Sequence, residues 1–77
     1  MTLVGKPDCH LCHVMEDAVA PVLAARGIRL VVRDVREDLD LLRRYRNDIP
    51  VLLEGAIELA RHRVTPEELI ARLASLG

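Results

Sequence analysis

The chain has 77 residues, 51% of them hydrophobic, with 11 Lys and Arg against 12 Asp and Glu and a formal net charge of −1. That length suits one domain, residues 1–77, near the lower end of chains that fold on a single core. With no basic excess and Tyr45 as the sole aromatic residue, nucleic-acid binding is not expected.

Membrane insertion is not expected either. The longest apolar run, "AVAPVLAA" from Ala18 to Ala25, is far too short to cross a bilayer. The opening "MTLVGKPD" has no charged segment leading into a long apolar one. A cytoplasmic monomer is therefore expected. In that compartment a close thiol pair is more often redox-active or metal-binding than a structural staple.

In chain order, Thr2–Val4 is a short β-prone apolar run ended by Gly5, Lys6 and Pro7, which predicts a buried strand and a loop. A helix follows, with Leu11, Met15, Val19, Val22 and Leu23 at three- and four-residue spacing. Pro21 is expected to kink it or weaken its last turns, and Gly27 to stop it. "IRLVVRDV", Ile28–Val35, predicts a second strand, its adjacent valines implying burial on both faces. "REDLD" opens a second helix through Leu39, Leu42 and Tyr45. Glu37 or Asp38 suits its positive N-terminal end, and Arg43, Arg44 and Arg46 its C-terminal end.

"IPVLLEGAIEL" predicts a hairpin, Val51–Leu53 and Ile57–Leu59 around a tight Glu54-Gly55 turn. "TPEELIARLASLG" carries a capping box: Thr65 as N-cap, Pro66 at the first helical position and Glu68 two further on. Leu69, Ile70, Leu73 and Leu76 would be its buried stripe, and Gly77 ends it. The order is β-α-β-α-β-β-α, an α/β fold with one four-stranded mixed sheet and helices on both faces.

The chemistry concentrates in "PDCHLCHVM", residues 7–15. Cys9-His10-Leu11-Cys12-His13 reads as a disulfide-exchange C-x-x-C, as a c-type haem attachment motif, or as half of a zinc site. Haem attachment needs export, for which no signal is seen, and Met15 is too close to serve as the opposite ligand. Zinc could draw on Cys9, Cys12, His13 and the distant His62; His10 joins poorly, since successive helical residues diverge by about 100°. Thiol exchange fits the position, because the pair lies where a strand hands over to a helix. Unpaired N–H groups and the helix dipole stabilise a thiolate there. Cys9 would lie at the exposed lip and Cys12 one turn in, more buried. His10 could add partial positive charge beside Cys9.

A C-x-x-C after the first strand, "DIPVLL" before a hairpin and a short closing helix together resemble the glutaredoxin-like family of the thioredoxin fold, over nearly the whole chain. The resemblance implies a thiol–disulfide oxidoreductase in which Cys9 attacks and Cys12 resolves. It implies a cis Ile49-Pro50 bond facing the thiols, with the Ile49 backbone pairing with substrate. It also matches Lys6 to a lysine near the nucleophile. No cofactor beyond the Cys9–Cys12 pair and no metal is expected. The expected partners are a protein disulfide and a protein or glutathione-type reductant. Two departures stand out: His10-Leu11 replaces the usual Pro-Tyr, and "LARHRVTPEE" replaces a Gly-Gly pair that belongs to the family's glutathione surface. Weak or absent glutathione turnover is expected in consequence.

Overall fold

The computed structural model describes residues 1–76. Its elements run β1 (Thr2–Gly5), α1 (His10–Ala25), β2 (Val31–Asp34), α2 (Leu39–Tyr45), β3 (Val51–Glu54), β4 (Ile57–Arg61) and α3 (Pro66–Leu76). The expected helix stop at Gly77 lies outside the described residues. β1 pairs in parallel with β2, β1 antiparallel with β3, and β3 antiparallel with β4, giving the strand order β2-β1-β3-β4. Parallel pairing of β1 and β2 requires a long crossover, and α1 supplies it.

Period-two alternation in the central strands divides the core between the two faces of the sheet. Leu3 and Leu52 pack with Met15, Val19 and Leu23 of α1 and Leu69 of α3. Val4, Val51 and Leu53 point the other way, toward Val35 and toward Leu41 and Tyr45 of α2. Helices therefore cover both faces, as the sequence predicts. In β4 the pairing passes from Leu52↔Ala60 to Leu53↔Glu58, leaving Leu59 as an extra residue. This bulge lets Leu59 and Ala60, adjacent in the chain, both enter the α1–α3 cluster.

Local signals set the element ends. The Ile28 N–H donates to the Leu23 carbonyl at 2.9 Å and the Gly27 N–H to Ala24 at 3.1 Å, with Gly27 at φ 68. These are the two bonds of a Schellman motif, and Gly27 is its left-handed residue. Glu68 and Thr65 form the reciprocal capping box: the Thr65 N–H donates to Glu68 Oε1 at 2.9 Å and the Glu68 N–H to Thr65 Oγ1 at 3.1 Å. Asp38 caps α2 by accepting from the Asp40 and Leu41 N–H groups.

Several expectations are corrected. The second strand starts at Val31 and not at Ile28, because the Schellman bond turns the Ile28 N–H back into α1. Val31 and Val32 are 45% and 53% exposed, since β2 is an edge strand with a neighbour on one side only. In α1 the buried stripe is Cys12, Met15, Val19 and Leu23, which leaves Leu11 exposed. The helix also continues through Pro21 to Ala25, with the proline on the solvent side. In α2 it is Leu41, with Tyr45, that turns to the sheet, while Leu39 is exposed. In α3, Leu69 is buried and Leu73 packs beside it, whereas Ile70 and Leu76 are exposed. The hairpin loop is Gly55-Ala56, one residue later than expected; Gly55, at φ 59, holds the first loop position, where a two-residue connection favours glycine. No described helix is long and apolar enough to cross a membrane.

Candidate active site

β1 ends at Gly5, and four residues later the chain enters α1 with Cys9 as N-cap (φ −101, ψ 112). An N-cap side chain normally offers oxygen to the first free N–H groups of the helix. Here sulfur takes that place: Cys9 Sγ accepts from the Cys12 N–H at 3.2 Å. A thiolate is a better acceptor than a thiol, and the start of a helix carries partial positive charge. Cys9 is half-buried, and Cys12, one turn in, is buried at 5% exposure. Both are free thiols in this structure.

The two sulfurs sit in different environments. Burial, and next the hydrogen bond with Cys9, push the Cys12 thiol up to about 11; the Lys6 backbone N–H and the Lys6 charge act in the opposite direction. Gly5 allows α1 to come this close to the strand. A Cβ on Gly5 would stand 2.8 Å from Cys12 Sγ and 3.0 Å from Cys12 Cβ, inside contact distance.

The loop before Cys9 is held from the helix. His13 Nε2 lies 2.6 Å from the Pro7 carbonyl. A carbonyl only accepts, so the imidazole donates through Nε2. In the sequence His13 stands out only as a possible zinc ligand; its reach back over six residues is not visible in spacing. His10, by contrast, is exposed at the first helical position. A groove of about 330 Å³ opens beside Cys12, lined by Lys6, His13 and Glu16 and by Val32 and Asp34 of β2. Asp34 there is committed to Arg36, whose guanidinium and backbone N–H hold its carboxyl down at about 2.

The alternative zinc set of Cys9, Cys12, His13 and His62 is not assembled. His62 stands by Asp48, with Nε2 3.7 Å from Oδ1, and His13 is engaged with Pro7. Among the described residues no three His, Cys, Asp or Glu side chains are grouped to share a metal ion.

The Ile49-Pro50 peptide bond is cis, and Pro50 is buried. The register Val4↔Val51 sets Pro50 across from Gly5, at the sheet end from which the cysteine loop departs. The Pro50 carbonyl accepts from the His62 N–H at 2.7 Å, one residue beyond β4. Ile49 packs its side chain on the α2-side cluster. Among the described residues its backbone N–H and carbonyl take part in none of the loop and turn hydrogen bonds.

A mixed sheet of order β2-β1-β3-β4, with a C-x-x-C opening the first helix and a cis-proline leading the third strand, defines the thioredoxin-like, glutaredoxin-like class of α/β proteins. The family model Glutaredoxin-like domain (DUF836) matches residues 1–74, and the chain belongs to that family. No curated protein and no solved structure matches it.

Proposed function

We propose that this protein is a dithiol thiol–disulfide oxidoreductase acting on protein disulfides. The observation that carries the reading is the N-cap sulfur: Cys9 is half-exposed and accepts a helix N–H, while Cys12 lies buried beneath it with a raised pKa. The Cys9 thiolate attacks one sulfur of the substrate disulfide, forming a mixed disulfide and expelling the other sulfur as a thiolate. Cys12 then loses its proton to solvent and attacks Cys9 Sγ, expelling the second substrate thiolate. The substrate gains two electrons, and the protein leaves as a Cys9–Cys12 disulfide, which a thiol reductant restores.

Two features support a protein substrate. Leu11 and Val14, on the first turns of α1 beside the cysteines, are 38% and 48% exposed and give the lip an apolar surface. The unengaged Ile49 backbone offers hydrogen bonds to an extended chain, as β-strand addition does. Lys6 lies close enough for its charge to act on Cys12, and His10 is exposed on the first turn of α1.

Glutathione is the weaker partner in this reading. The end of β4 and the segment after it carry Arg61, His62, Arg63 and Val64 where small glycines would permit close backbone approach. Reduction of a protein disulfide should therefore proceed with a higher kcat/KM than reduction of a glutathione mixed disulfide, assayed side by side with one reducing system. Equal or faster glutathione turnover would contradict this preference. Absence of turnover on both substrates would remove the oxidoreductase reading.

A further inference from the structure

The segment from Asn47 to Pro50 joins α2 to β3 and contains the backbone that the proposed substrate would pair with. Its N-terminal side is fixed by the Asp48 N–H, which donates to the Tyr45 carbonyl at 2.8 Å. Its C-terminal side is fixed by the His62 N–H, which donates to the Pro50 carbonyl at 2.7 Å. Two side chains from the end of β4 reach the middle. Arg61 Nη1 lies 3.2 Å from Asp48 Oδ1, and His62 Nε2 lies 3.7 Å from the same oxygen.

Arg61 is itself held. Its Nε and Nη2 donate to the two oxygens of Glu58 at 2.7 and 2.6 Å. This leaves Nη1 aimed at Asp48, and the planar fork cannot turn away without losing the Glu58 pair.

His62 is the strained member. It has φ 68, a left-handed conformation that residues with a Cβ rarely adopt. The Arg63 N–H donates to the Arg61 carbonyl at 2.7 Å across it, closing a three-residue turn with positive φ at its centre. The result of this unfavourable turn is that the His62 N–H extends the β3–β4 ladder onto Pro50. Backbone strain of this kind persists where surrounding contacts fix it and gathers at binding sites.

We propose that Asp48, together with Arg61 and the His62 turn, positions the Ile49-Pro50 segment for a docked protein disulfide. They are positioning residues, touching neither sulfur nor substrate. This inference rests on the thiol–disulfide reading above. Asp48 and Arg61 are partly solvent-exposed, at 35% and 43%, so their pair contributes little to global stability. Its effect falls on where the docking backbone sits.

The test is steady-state kinetics with a protein disulfide for wild type, Asp48→Ala and Asp48→Asn, beside thermal unfolding and the redox potential of the Cys9/Cys12 couple. Asp48→Ala should raise KM about two- to fivefold, the worth of a partly exposed ion pair, with kcat, potential and Tm near wild type. Asp48→Asn keeps an acceptor for Arg61 and should recover most of the loss. An unchanged KM in Asp48→Ala, or a fall in Tm or kcat that accounts for the whole effect, would overturn the positioning role while leaving the oxidoreductase reading intact. A wild-type protein without disulfide turnover would instead overturn that reading, and this role with it.

Discussion

At the scale of single residues, the site depends on what is missing from Gly5 as much as on the two sulfurs. The strand end must lie against the first turn of α1 for Cys12 to be buried, and only a residue without Cβ leaves room for its sulfur. Gly5→Ala should destabilise the fold by about 1–3 kcal/mol, the usual cost of overpacking, since the obstructing atoms belong to a buried side chain on a helix. Denaturant unfolding of the reduced protein measures it, and an unchanged midpoint would mean that α1 moves aside freely. In the sequence Gly5 is legible as a strand terminator, but its contact with Cys12 is not, because that contact joins residues from different elements. The same holds for His62: nothing in "ARHRV" marks a histidine with positive φ, and glycine is the residue that normally announces such a turn. The C-x-x-C of Cys9 and Cys12 is legible at a strand-to-helix junction, and the structure has it there.

At the scale of elements, the stretches that obey strong local rules are the ones the sequence describes well. The Thr65–Glu68 capping box and the Gly27 stop are decided by near neighbours in the chain, and both form. Thr65→Ala removes one half of the box and should cost about 1 kcal/mol, since the Glu68 N–H loses its side-chain acceptor while the residue-65 N–H keeps the Glu68 carboxylate. Chemical denaturation would show this as a lower midpoint at constant slope; no shift would mean that packing of Leu69 alone holds the start of α3. Misread stretches depend on position in the sheet. The paired valines of β2 look like a doubly covered strand, yet strand order places them at an edge. Leu11 looks like a core residue by spacing, yet the stripe passes through Cys12, for which Gly5 leaves room. Hydrophobic periodicity gives the face of a helix to within one residue, and here one residue separates a buried thiol from an exposed leucine.

At the scale of the whole molecule, the sheet order brings two sequence-distant segments to one end: the loop after β1, which carries Cys9, and the segment before β3, which carries Ile49 and Pro50. Strand pairing does this without a direct link between them, and the β4 end then braces the second segment through Asp48 and Pro50. In the proposed function Cys9 is the attacking sulfur and Cys12 the resolving one. The most direct measurement is trapping of a disulfide-bonded protein substrate by single-cysteine variants, read by mass spectrometry of the linked peptide. Cys12→Ser should accumulate a mixed disulfide through Cys9, and Cys9→Ser should accumulate none through the buried Cys12. Equal trapping by both variants, or by neither, would contradict the account.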